Sequence, residues 1–177
     1  CPTRRSSDLE IYLKYTAVGD EFVIPGTIDG MRVQSVEMTS YVSLKNCTKI
    51  VFEENVERIA GTFMHFLTGT QIEFPSTLLM IDSNTFLQSK IKSINFPDGL
   101  RAIGSTAFQR CTFTDTDIVL PESVELIADG AFDQSNITSI KMGANVCIGF
   151  PKFSQTVGVY YDSTEDYWFM PFSNCNL

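Results

Sequence analysis

Residues capable of chemistry are sparse in this chain. Its one histidine, His65, stands in Thr62-Phe-Met-His65-Phe beside a large apolar position, and no serine or cysteine lies at a spacing that marks it as a base. It reads as a surface or capping histidine. The carboxylates are scattered as Glu53-Glu54, Asp115-Thr-Asp117 and Glu165-Asp166. Asp115 and Asp117 could hold calcium weakly, but they lack the glycine and distal glutamate of an EF-hand loop, so a solvated loop is the better reading. Five cysteines (Cys1, Cys47, Cys111, Cys147, Cys175) form no CxxC and no Cys/His cluster, which disfavours zinc. Their wide spacing does not resemble a disulfide framework, and they read as small buried hydrophobes or free thiols. No glycine-rich nucleotide loop is present. The expectation is a chain that is not an enzyme, with no catalytic, metal or cofactor site.

What remains is a scaffold, and composition says which kind. The 177 residues suit one domain, 44% are hydrophobic, and charged residues make up 19%. A net charge of −8 without a basic stripe argues against nucleic acid. No apolar run reaches the length of a membrane span. Cys1 to about Asp8 has no periodicity and reads like the translation of a sequencing-adapter oligonucleotide. Residues 1–8 are therefore expected to be non-native, with the chain a piece of a longer one.

An internal repeat organises the rest. Ile72-Glu-Phe-Pro-Ser-Thr-Leu78-Leu-Met-Ile81 leads to Phe86. Ile94-Asn-Phe-Pro-Asp-Gly-Leu100-Arg-Ala-Ile103 leads to Phe108, and Ile118-Val-Leu-Pro-Glu-Ser-Val124-Glu-Leu-Ile127 to Phe132. Ile50, Phe52, Val56, Ile59 and Met64 occupy the same offsets. The leading residues Ile50, Ile72, Ile94, Ile118 and Ile140 are separated by 22, 22, 24 and 22 positions, with the two extra residues in Thr112 to Asp117. A looser first copy runs through Val23-Ile-Pro25, Ile28-Asp29-Gly30, Val33, Val36 and Tyr41, and a last copy decays after Val146.

Each offset has a physical role. Ile94 and Phe96 alternate with Ser93 and Asn95, the period of a short strand with one buried face. Pro75, Pro97 and Pro121 cannot donate to a ladder and end the strands. Leu100 and Ile103 turn inward. Gly104 to Phe108 and Ala128 to Phe132 then read as a helical or 3₁₀ turn that drops a phenylalanine into the core. One such unit cannot enclose its apolar groups, so neighbours must stack.

The unit resembles the BspA-like leucine-rich repeat, roughly Leu-x-x-Ile-x-hydrophobic-Pro-x-x-Leu-x-x-Ile-Gly-x-x-Ala-Phe-x-x-Cys. Ile91 to Cys111 follows it nearly position for position, Val23 to Val33 is similar to the family's opening unit, and Val159 to Trp168 to the segment after its last repeat. The resemblance implies a β-rich, right-handed leucine-rich repeat solenoid. Short parallel strands would line its concave face, with turns or short helical turns on the other side. It also implies a bacterial cell-surface or secreted protein, in some members concerned with adhesion. The asparagine ladder of general leucine-rich repeats falls here on Asn55, Thr77, Gly99, Ser123 and Asn145, so its hydrogen bonds must be partly replaced. The cysteine offset holds Cys111 but Leu67, Ser89 and Ser135 elsewhere.

Three columns of strand residues are then expected to face away from the core. They are Thr48, Thr70, Lys92, Thr116 and Thr138; Lys49, Gln71, Ser93, Asp117 and Ser139; and Val51, Glu73, Asn95, Val119 and Lys141. The threonines could present a hydroxyl row to a protein or glycan, or simply suit exposed strands. The columns lack Trp, Tyr and Arg, so binding through them would be weak or need avidity. The expected organisation is an atypical first repeat or cap over 9–49, repeats over 50–155 and a C-terminal cap over 156–177, in a monomer. The aromatic run Tyr167-Trp-Phe-Met-Pro-Phe172 reads as that cap or as a partner site. A spacer that presents another domain is the competing function.

Overall fold

The computed structural model describes residues 20–38, 47–61, 67–148 and 171–177. The expectations for residues 1–8, Tyr41, Met64, His65 and Val159 to Trp168 lie outside them. The described strands are β1 (Glu21–Ile24), β2 (Thr27–Ile28), β3 (Met31–Arg32), β4 (Ser35–Met38), β5 (Lys49–Phe52), β6 (Arg58–Gly61), β7 (Thr68–Glu73) and β8 (Met80–Ile81). They continue as β9 (Lys90–Asn95), β10 (Ala102–Ile103), β11 (Thr112–Phe113), β12 (Asp117–Val119), β13 (Leu126–Ile127), β14 (Ser139–Lys141) and β15 (Cys147–Ile148).

Two parallel ladders run along the stack. The first sheet has the order β1-β5-β7-β9-β11, with β12-β14 as a separate pair; the second has the order β15-β13-β10-β8-β6-β4. Register follows the repeat: Ile50 pairs with Ile72 and Ile72 with Ile94, while Ile103 pairs with Ile81 and Ile127. The chain is a parallel β-solenoid, its coils alternating between a strand of the first sheet or of the β12-β14 pair and a strand of the second sheet. Among the described strands only β2 and β3 are antiparallel, joined through Asp29 and Gly30 at φ of 50° and 77°, the two left-handed residues of a type I′ hairpin.

The third side of each coil is built from turns, and no helix occurs among the described residues. Ala107 N–H donates to the Gly104 carbonyl (3.3 Å) and Cys111 N–H to the Phe108 carbonyl (3.2 Å). The third residue of each turn, Thr106 or Arg110, has a φ of 54° or 56°. That is the signature of consecutive type II turns, and a positive φ cannot propagate a right-handed helix. The helical alternative for Gly104 to Phe108 gives way to turns for this reason. The pattern repeats at Asn84 and Gln88, and at Gly130 and Gln134. Alternate amides on this side bond to the next coil, as Phe86 N–H to the Ala107 carbonyl (2.8 Å) and Phe108 N–H to the Ala131 carbonyl (2.7 Å).

The turns aim phenylalanines at the axis. Phe86, Phe108 and Phe132 are fully buried. Adjacent rings stack at 5.2 and 5.1 Å between centroids, with planes 10° and 11° apart. Phe172 continues the column at 5.6 Å from Phe132. The motif Pro171-Phe-Ser-Asn-Cys175 thus repeats Ala131-Phe-Asp-Gln-Ser135: Phe132 N–H donates to the Pro171 carbonyl (2.7 Å) and Asn174 has a φ of 56°. Part of the segment read as a terminal cap is a phenylalanine turn of the repeat itself. Only the lengthened spacing from Ile148 hid it.

Among the described residues the buried side-chain polar atoms are satisfied, as burial without partners would cost several kcal/mol. The partial asparagine ladder is replaced as its composition requires. Asn55 Nδ2 donates to the Gly26 carbonyl (3.2 Å), Thr77 Oγ1 to the Val56 carbonyl (3.0 Å) and Ser123 Oγ to the Leu100 carbonyl (2.7 Å). At the cysteine offset, Cys111 Sγ donates to the Phe86 carbonyl (3.0 Å) and Cys175 Sγ to the Phe132 carbonyl (3.1 Å). The fully buried Asp133 carboxylate accepts from the side-chain amides of Gln109 (2.8 Å), Gln134 (3.0 Å) and Asn174 (3.1 Å).

Candidate functional site

The outward columns of the first sheet arise from the strand period and the parallel register. Lys49, Gln71 and Ser93 are in line, as are Val51, Glu73 and Asn95; Asp117 pairs with Ser139 and Val119 with Lys141. At the N-terminal end the columns are internally paired. Lys49 Nζ lies 3.0 Å from Glu73 Oε2 and 3.5 Å from Glu21 Oε1, and Gln71 Nε2 donates to Glu73 Oε1 (2.9 Å). The hydrogen bond to Glu73 raises the Lys49 ammonium above its ordinary range, with the charges of Glu73 and Glu21 adding to it. Nearer the middle, Lys92, Ser93 and Asn95 are exposed and form no side-chain hydrogen bond or ion pair among the described residues. Lys141 is exposed in the same way.

The threonine row is not regular, and Thr70 does not belong to the surface. It is fully buried, and its Oγ1 donates to the Cys47 carbonyl at 2.7 Å. The cause is a bulge at Gly69, whose φ of 106° shifts the register so that Thr70 pairs with Ile91 instead of Lys92. An extra residue flips every following side chain until the register recovers. Thr48 is exposed, with Oγ1 donating to the Asp20 carbonyl (2.9 Å). Thr116 and Thr138 share a hydroxyl–hydroxyl bond of 2.8 Å, and Ser139 Oγ donates to Asp117 Oδ1 (2.6 Å).

The columns are also interrupted. The two extra residues between Thr112 and Asp117 leave β12 paired with β14 and detached from β9. Thr114 N–H still donates to the Ile91 carbonyl (3.0 Å), and beyond it the two chains diverge. Sequence spacing locates the insertion but gives no sign that it splits the sheet. Asp115 spends Oδ1 on the Asp117 amide (3.2 Å), and no group of three metal-ligating side chains occurs among the described residues.

The cysteines divide by position. Burial pushes the Cys111 thiol up to about 12, with the Ser89 backbone opposing it, and raises Cys47 in the same sense. Cys147 is exposed, and these two together with Cys175 and Cys147 are free thiols. No membrane-length apolar helix is present among the described residues.

Comparison with known proteins agrees with this geometry. The model of the BspA type leucine-rich repeat region matches six copies over residues 34–157, well over half the chain. A crystal structure of a leucine-rich repeat protein from T. pallidum aligns at 22% identity over 72% of this chain and 70% of its own, with a TM-score of 0.48. No curated protein matches. On the repeated motif and the coil it builds, the chain belongs to the BspA-type leucine-rich repeat family.

Proposed function

We propose that this repeat scaffold belongs to a cell-surface or secreted protein and binds a protein or glycan ligand, in the manner of an adhesin, through the sheet assigned to its concave face. The observation that carries this reading is the unpaired set Lys92, Ser93 and Asn95 on β9 of the first sheet, with Lys141 on the separate β12-β14 pair, all exposed. Rigid presentation lowers the entropic cost of binding. The modest chemistry of these residues favours a weak contact multiplied along an array. The scaffold acts as a monomer without a cofactor, and its partner is not a nucleic acid, since the net charge is −8.

The test is retention on immobilised extracellular matrix proteins and a glycan array. Ser93→Lys with Asn95→Lys should reduce retention at least tenfold while circular dichroism is unchanged. Retention unaltered by both changes would place binding elsewhere. Retention by no probe at micromolar concentration would favour the spacer reading.

A further inference from the structure

The split in the first sheet leaves two strand edges facing each other. No backbone hydrogen bond joins Ser93–Asn95 of β9 to β12, and no Cα of β12 lies within 8 Å of a Cα of β9. Paired strands lie about 4.8 Å apart, so a separation beyond 8 Å exceeds the single spacing of a paired ladder. It is closed at both ends, by Thr114 N–H on the Ile91 carbonyl (3.0 Å) and by Ser123 Oγ on the Leu100 carbonyl (2.7 Å). The coils remain stacked behind it, where Ala102 pairs with Leu126 and Phe108 stacks on Phe132. Ile94, beside the opening, is only partly buried, whereas Ile50 and Ile72 on the intact sheet are 0% and 2% exposed. Asp98 and Asp115 are exposed on the residues that flank the opening, as is Lys92, while Asp117 accepts from Ser139 and Glu122 lies against Gly143 on the coil beyond.

We propose that this opening is a strand-insertion slot for an extended segment of a partner protein, pairing with β9 on one side and β12 on the other. Unpaired edges are templates for an added strand, and here two converge on one space. The inserted segment would place an apolar residue inward against Ile94 and Ile118. Basic residues on either side of it would point outward toward Asp98 and Asp115. The inference rests on reading this face as a binding surface, but it uses backbone edges where the ligand columns use side chains.

The probe is the acetylated, amidated pentapeptide Lys-Val-Lys-Val-Lys, titrated into the isotopically labelled chain. Addition should shift and protect from hydrogen exchange the amides of β9 and β12, leaving those of β7 unchanged. The same peptide methylated on alternate amide nitrogens should bind at least tenfold more weakly, since only backbone pairing is lost. Deleting Thr114 and Asp115 restores the 22-residue spacing and should abolish binding with circular dichroism retained. Gln71→Ala with Glu73→Ala, on the intact part of the sheet, should leave peptide binding unchanged. If that variant lost matrix retention while the peptide still bound, the slot and the columns would be separate sites. The proposal is overturned if the intact chain shows no shift, if methylation has no effect, or if these amides are already protected in the free monomer. Protection that appears only on dimerisation would assign the slot to a second copy and equally overturn it.

Discussion

Replacing Phe108 by alanine tests whether the solenoid is held as a stack of coupled coils. Phe108 is fully buried and stacks on Phe86 at 5.2 Å and Phe132 at 5.1 Å, with Phe96 edge-on at 5.7 Å. Truncating a buried phenylalanine costs roughly 3–5 kcal/mol through lost transfer energy and the cavity left behind. Each aromatic pair contributes about 0.5–1.5 kcal/mol beyond its buried area, so these three pairs account for about 1.5–4.5 kcal/mol of the interaction. Phe108→Leu keeps most of the apolar volume and removes the pairs, so it should cost about 2 kcal/mol. Phe172→Ala, at the end of the column with one stacked neighbour and partial exposure, should cost about 1–2 kcal/mol. Urea unfolding followed by far-ultraviolet circular dichroism measures all three. Phe108→Ala should also lower the slope of the transition, because a repeat array weakened at one interface unfolds in blocks. A Phe108→Ala cost equal to or below that of Phe172→Ala would refute the stacked-column account.

Three further outcomes follow from particular contacts. Gly26→Ala should destabilise by about 3 kcal/mol or more, because its Cβ would run into the Glu54 carbonyl oxygen. Gly30→Ala, with open space but a φ of 77°, should cost about 1 kcal/mol by the same unfolding assay. Thr70→Val should cost about 1 kcal/mol by removing the buried bond to the Cys47 carbonyl, whereas Thr48→Val, at the exposed bend before β5, should be near neutral. For Cys111 the folded thiol titrates near 12, above the unfolded value near 9. Stability from this group is therefore full below pH 9 and is lost as pH rises toward 12, because only the unfolded chain releases the proton. Cys111→Ser should flatten that alkaline loss in denaturation curves, and iodoacetamide at pH 8 should label Cys147 well before Cys111.

The sequence alone determined the coil. A 22-residue spacing of Ile, Phe, Leu and Ile with a following phenylalanine admits one economical arrangement, since each unit's apolar groups can be buried only against copies of itself. Ile72, Leu78, Ile81 and Phe86 are accordingly all within 2% of full burial. It also located the replaced asparagine ladder and the two-residue insertion. The tertiary structure decided where local periodicity failed. Thr70 reads as one more surface threonine until Gly69 adopts its positive φ and turns the hydroxyl onto Cys47. Gly104 to Phe108 suits a helical turn until inter-coil hydrogen bonds favour alternating positive φ. Phe172 joins the phenylalanine column across a gap in sequence that no repeat count would bridge. The open edges between β9 and β12 exist only because the coils stay stacked behind the insertion while their strands part in front. Periodicity encodes which face a residue takes within a strand. Whether neighbouring strands meet is set by the accumulated register of the whole stack.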